Sequence, residues 1–274
     1  MGFQFDHLVH FVKSPEEARE EVFRAGIHAV EGGRHEDHGT YNALGYFGLS
    51  YIEWIGVFDQ GLAESASAVP YSLRETFRHD GYKEGLSRVA LRSKDLEKDA
   101  ERFRKLGLDV HGPNPMSRKR PDGSVVSWKL LHVGDPERGP ELPFFIQWDE
   151  GDAERERDLE ERGVISAHPA GELTLEAVGF AVKDLELTVS RWADILDLGI
   201  TEEFQDESLK AKGKGLKLQG GNLVFYTPTG KGTVQNVLDE RGEKPFQVLF
   251  EGSESRTQRI REGDYRFKVK EEVK

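Results

Sequence analysis

Alternation of apolar and polar positions predicts strands in two short runs, FDHLVHFV (5–12) and SYIEWIGVF (50–58), where β-branched and aromatic residues alternate with residues of the opposite face. On that pattern Phe5, His7, Val9 and Phe11 share one face of the first strand, and Tyr51, Glu53 and Ile55 one face of the second. An imidazole and a carboxylate therefore stand in apolar company. A buried carboxylate needs a cation, a metal or a hydrogen-bond network beside it, so the pattern already implies a site. Between the two runs, SPEEAREEVFRAG predicts a helix: Ser14 caps it, Pro15 suits its first turn, Glu17 stands three residues after the cap, and Gly26 ends it. Strands follow at 27–35 and 40–47, with Gly48 marking a tight turn. The unit is strand, helix, three strands.

That unit recurs. LSRVALRSKDLEKDAERFRKLG (86–107) is again strand and helix, followed by strands at 108–113, 125–133 and 142–148. Aligning Ser14 with Asp95 and IEW with IQW sets His7 against Arg88 and Glu53 against Gln147. A third copy starts at LEAVGFAVKDLELTVSRWADILDLG (175–199), with Asp184 opening its helix, a later strand at 223–227, and Ala177 in the position of His7. Repetition of one supersecondary unit implies that each copy needs another to cover its sheet. The predicted organisation is α+β, with the first two modules (1–58 and 86–148, within 1–150) paired and a third module plus extension in 173–274. Connector 59–85 predicts a short helix after Pro70, and ERERDLEERG in 149–172 reads as a helix with a solvated charged face. The tail offers strands at 246–250 and 265–269, either a degenerate fourth unit or an edge extension.

Composition narrows the chemistry. The 274 residues carry 38 Lys+Arg against 50 Asp+Glu, a formal net charge of -12 that opposes binding to nucleic acid or anionic membrane surfaces. The absence of cysteine excludes disulfides, thiolate metal sites and thiol nucleophiles. No apolar run is long enough for a membrane span, and MGFQFDHLVHFV has no basic segment ahead of an apolar one, so a cytoplasmic location is the expectation. Phosphate-loop, H-E-x-x-H and G-x-S-x-G patterns are all missing.

The three units, with FDHLVHFV, GGRHEDHGTYNALGYFGLSYIEW (32–54), RKRPDGSVVSW (118–128) and ISAHPAG (165–171), resemble the vicinal oxygen chelate superfamily of glyoxalases, extradiol dioxygenases and antibiotic-resistance proteins. More narrowly, they resemble its glyoxalase-like domain group. The resemblance implies two modules paired into a cupped half-barrel, with His7, Glu53, Arg88 and Gln147 at the four site positions and one divalent metal between ligands. His7, Glu53 and the amide oxygen of Gln147 could serve such an ion, whereas Arg88 has no lone pair to give. An inward Arg88 would neutralise Glu53 or hold an anionic substrate oxygen.

Two functions stay open. One is an enzyme acting on a small, anionic, carbonyl- or hydroxyl-bearing metabolite by lyase, isomerase or dioxygenase chemistry, with Glu53, His7 and Arg88 catalytic. The other is a protein that sequesters a small molecule between Trp54, Trp128 and Trp148. Further contacts to the ligand are expected from His35, His38 and Asn42 in the long motif, from Trp128 and from Gln147. RKRPDG reads as a hairpin turn whose cluster of cations, followed by Trp128, could also cover a pocket holding an anion; His10 reads as a core residue and His168 as a loop residue. A third module without a partner implies a homodimer, unless the tail supplies the missing strands.

Overall fold

Three helices begin on the residues that the pattern selects. Ser14 accepts a hydrogen bond from the Glu17 amide, Asp95 from that of Lys98 and Asp184 from that of Leu187, at 3.2, 3.1 and 3.0 Å. Each such cap contributes about 0.5–2 kcal/mol by satisfying an end-of-helix donor. The computed structural model describes residues 2–120, 122–136 and 139–270. The first module is β1 (Gln4–Phe11), α1 (Pro15–Arg24), β2 (Val30–His35), β3 (Thr40–Phe47) and β4 (Ser50–Val57). Two short helices, α2 (Gln60–Ala66) and α3 (Leu73–His79), lead to the second module: β5 (Gly85–Arg92), α4 (Leu96–Lys105), β6 (Asp109–Lys119), β7 (Val125–Gly134) and β8 (Phe144–Trp148). Pro121, in the expected hairpin after β6, lies outside the described residues.

These eight strands close into a barrel in the order β1-β4-β3-β2-β6-β7-β8-β5, more closed than the cupped half-barrel expected. The seam between β2 and β6 is narrow, with one pair, Arg34 opposite Lys119. Gly33 makes that approach possible: its φ is +140°, and a β-carbon there would lie 2.4 Å from the Lys119 carbonyl oxygen.

After α5 (Asp152–Glu161), a second sheet is built from β9 (Thr174–Ala181), α6 (Leu185–Leu196), β10 (Phe204–Asp206), β11 (Ala211–Leu216), β12 (Asn222–Pro228), α7 (Thr233–Arg241), β13 (Pro245–Gly252), β14 (Arg256–Ile260) and β15 (Gly263–Val269). Its order is β10-β11-β12-β9-β13-β15-β14. The tail strand β13 lies antiparallel to β9, as β5 does to β1, and β15 lies parallel to β13, as β8 does to β5. A fourth unit without its helix and one of its four strands thus completes the third within one chain, and the expectation of a homodimer loses the unfilled sheet on which it rested. Val234 and Val237 of α7 pack with Ala181, Tyr226 and Phe246, filling the inner face of this sheet with apolar side chains.

The repeat carries one irregularity in every copy. In each first strand the ladder gains an extra residue: Asp6 on β1, Ser87 on β5, Glu176 on β9 and Phe246 on β13. The bulge at Asp6 breaks the alternation, so Phe5 joins the core outside the barrel with Leu8 and Val12, while Val9 and Phe11 face the interior. Phe5 therefore does not share the face of His7.

Register also corrects the expected pairing of Glu53 with Gln147. Val9 lies beside Glu53 on β4, and its counterpart Ala90 lies beside Phe144 on β8. Phe144 is the structural match of Glu53. Gln147 is three positions further along, an odd step that turns a strand residue to the opposite face.

Candidate functional site

The barrel interior holds a cavity with His7 of β1 and Glu53 of β4 on one wall and Trp128 and Trp148 on another. The cavity volume is about 40 Å³, so what fits is small. His7 is fixed from three sides. Its Nδ1 lies 2.7 Å from Asp6 Oδ1, its ring stacks on Tyr51 with centroids 4.5 Å apart, and Phe144 meets it edge-on at 5.4 Å. The bulge places Asp6 where it can make this bond to its own neighbour. Nε2 lies 3.7 Å from Glu53 Oε2, and in the tautomer that donates Nδ1–H to Asp6 it presents a lone pair to the cavity.

Asp6 has no exposed surface, yet its carboxylate serves as an anchor. Burial opposes its ionisation, but Arg155, the His7 hydrogen bond and Arg92 together hold its carboxyl below the usual carboxylate range. Oδ2 accepts from Trp148 Nε1 at 2.9 Å and lies 3.3 Å from Arg92 and 3.6 Å from Arg155. Arg155 comes from α5, the helix expected to present only solvated charge. Its guanidinium lies 4.2 Å above the Trp148 ring, and Leu159 of the same helix packs on Leu44, Tyr46 and Tyr51.

Glu53 is held by Asn42 of β3, whose Nδ2 donates to Glu53 Oε1 at 2.5 Å. Gly32 leaves room for that amide, since a β-carbon at 32 would stand 2.1 Å from Asn42 Oδ1. The glycine pair of the long motif therefore has two tasks, one at the seam and one at the site. Arg118 of β6 reaches Asn42 Oδ1 at 3.4 Å. On α3, Arg74 faces the cavity; burial pulls its guanidinium down to about 10, with the Glu53 charge offsetting part of that.

The other expected residues divide between cavity, mouth and exterior. His35 lines the cavity, bonded through Nδ1 to Thr40 Oγ1 at 3.0 Å; burial, then Arg74 and Arg118, keeps its imidazole well below the ordinary histidine range. Half-buried His38 lies in an adjoining groove that shares His35, Met116 and Trp128 with the cavity, and burial followed by Arg74 lowers it to about 4. Arg88 is buried but does not meet Glu53. It donates to Thr76 Oγ1 at 3.0 Å and to the Leu142 carbonyl at 2.5 Å, with Glu141 3.5 Å away. Gln147 turns outward, its Oε1 accepting the Leu96 amide at the start of α4. Trp54 also lies outside the cavity, donating to the Tyr265 hydroxyl. His10 is a core residue beside Tyr265, and His168 is a loop residue stacked on Phe47.

Asp6, Arg74 and Arg155 are the site residues that the sequence pattern did not select, and Arg118 was read as part of a turn whose cations could also cover an anion pocket. The bulge, the inward turn of α3 and the docking of α5 are tertiary facts. The nearest local signal is the polar Asp6 inside an apolar strand.

The donor set does not suit a divalent ion. His7 and Glu53 converge, but Gln147 faces away, and among the described residues no group of three or more His, Asp or Glu side chains gathers. An ion at His7 and Glu53 would also share the cavity with Arg74 and Arg118. Among the described residues no helix is long and apolar enough to cross a membrane.

A hypothetical protein from Staphylococcus aureus has the same fold, with a TM-score of 0.79 and 24% identity over 97% of this chain and 99% of that one. A 4-hydroxymandelate synthase mutant from Streptomyces coelicolor superposes with a TM-score of 0.59 and 12% identity over 92% of this chain and 71% of that one. No curated protein matches the sequence. The family model described as "Glyoxalase-like domain" matches residues 5–196, which include the whole barrel and the cavity-lining strands. The chain belongs to the glyoxalase-like domain family.

Proposed function

We propose that the barrel interior is an acid–base site acting on a small anionic metabolite that bears a carbonyl or hydroxyl group. The observation that carries this is the approach of His7 Nε2 to Glu53 Oε2 at 3.7 Å, each group being fixed from behind, by Asp6 and by Asn42. Two proton acceptors facing one small cavity suit removal of a proton from carbon beside a carbonyl and its return, the step that isomerases and lyases share. Asp6 holds the His7 ring in the tautomer that can accept. The aromatic walls exclude water, and a nearby guanidinium stabilises the charge that develops on oxygen.

The family allows sequestration on the same fold, and the pair Trp128 and Trp148, with centroids 5.4 Å apart, favours that second reading. Deuterium exchange separates the two. In D₂O, the protein is expected to wash deuterium into the carbon next to the carbonyl of a small 2-oxo or 2-hydroxy acid, followed by proton NMR. Glu53→Gln and His7→Gln should each slow exchange by about 10²–10⁴-fold. Tight binding of such acids with no exchange above the buffer rate would leave sequestration as the function.

A further inference from the structure

Two buried cations in the cavity have no counter-ion of their own. Arg74 is 5% exposed and Arg118 is 9% exposed, and among the described residues neither has a carboxylate within 4 Å. The Nε of each is buried without a hydrogen-bond partner. The remaining charges around the barrel are accounted for. Asp6 and Asp152 serve Arg92 and Arg155, and Glu141 serves Arg88. His35 and His132 are held uncharged by burial and by the neighbouring arginines, His132 at about 3. Against Arg74 and Arg118 the cavity sets one carboxylate, Glu53. One positive charge is left over on buried guanidinium groups, where an unpaired charge is costly.

We infer that Arg74 and Arg118 are a carboxylate clamp, and that the ligand of this cavity is a small monocarboxylate. This rests on the cavity being the ligand site and names the substrate class for it. A single negative charge balances the surplus. A guanidinium offers paired N–H donors in the geometry that a carboxylate accepts. The cavity is small, which suits a carboxylate with few further carbons. The clamp comes from the part of the site that differs most from a metal centre: one arginine on the connector helix α3, the other on β6 of the second module.

The test is thermal melting and tryptophan fluorescence of the full chain titrated with acetate and pyruvate, with acetamide as the neutral control and sodium chloride at matched ionic strength. Both carboxylates are expected to raise the melting temperature saturably by several degrees, and acetamide and chloride are not. Arg74→Met and Arg118→Met should each weaken carboxylate binding at least tenfold. In the free protein Arg74→Met should melt no lower than wild type, because it removes a buried charge with no carboxylate within 4 Å among the described residues, whereas Arg118→Met also loses the bond to Asn42. Should a methionine variant not fold, Arg74→Lys and Arg118→Lys keep the charge and lose the paired geometry, and an affinity loss of at least threefold is expected. No saturable carboxylate response in the wild type, or responses within twofold of wild type in the arginine variants, overturns the clamp. Carboxylate binding without deuterium exchange removes the acid–base reading alone, and exchange independent of both arginines removes the clamp alone.

Discussion

Asp6→Ala is expected to cost about 3–5 kcal/mol of folding stability, because it strands buried cations. That is a large share of the 5–15 kcal/mol typical of a folded chain. Arg92 keeps a second carboxylate, Asp152, at 3.1 Å, but the only carboxylate within 4 Å of Arg155 among the described residues is Asp6. The loss should therefore fall mainly on Arg155. Adding Arg155→Met to Asp6→Ala should restore part of the stability, giving a coupling of about 1–3 kcal/mol in a double-mutant cycle read by urea unfolding at pH 7. The pH dependence has a defined sign. Asp6 has a folded-state pKa below its unfolded value, so its contribution is complete above the unfolded value near 4 and is lost as pH falls through the lower, folded value. Wild type should lose more stability than Asp6→Asn as the pH is taken from about 5 to below 3. Equal slopes for the two proteins, or a cost for Asp6→Ala under 1 kcal/mol, would show that the carboxylate is not what holds α5 to the barrel.

The module order was legible because each copy announces itself locally: an alternating strand, then a capping residue at 14, 95 or 184, then an amphipathic helix. His7 and Glu53 were legible for the same reason, as polar residues in strands that are otherwise apolar. What local pattern cannot carry is register. The pairing of Glu53 with Gln147 came from matching IEW to IQW, and an offset of three turned an inward position into an outward one. Arg88 was correctly set in the place of His7, but a guanidinium on a long flexible stem goes where acceptors are, and here those are Thr76 and the Leu142 carbonyl rather than Glu53. Arg74 was hidden because it lies on a connector, and which way a short helix turns depends on what it covers. The tail was only partly legible, for a different reason. RTQRI is an edge strand with polar residues on both faces, so it shows little of the alternation that marks a half-buried strand. The signal for α7 was present, in Val234, Val237 and Leu238 at helical spacing before Gly242.

Removing the tail's hold on the barrel should be nearly as costly as removing Asp6. The hydroxyl of Tyr265 on β15 accepts from Trp54 Nε1 at 2.8 Å and meets His10 Nδ1 at 2.8 Å, while His10 Nε2 donates to the Arg261 carbonyl. Burial lowers His10 to about 4, so the ring is neutral and every member of the chain has its donor or acceptor matched. Trp54 is the neighbour of Glu53 on β4, and His10 lies on β1 with His7. Two side chains from site-bearing strands thus end on one phenol from the fourth unit. Tyr265→Phe leaves Trp54 Nε1 without an acceptor and His10 Nδ1 without a donor, at about 1–3 kcal/mol for each orphaned group. Phe250→Ala, which empties the space beside Phe47, Tyr265 and Phe267, should cost about 3–5 kcal/mol. Because one apolar core joins the two sheets, holding Phe5 and Leu8 of β1 together with Leu223 and Phe225 of β12, both substitutions should lower one common transition. The check is to follow urea unfolding of each variant, in a Trp192→Phe background, by tryptophan fluorescence, which then reports Trp54, Trp128 and Trp148 on barrel strands, and by far-ultraviolet circular dichroism, which reports both sheets. Coincident midpoints shifted together are expected. A barrel transition that stays at the wild-type midpoint while the dichroism splits in two would mean that the fourth unit supports only its own sheet, and that the cavity is held by the first two modules alone.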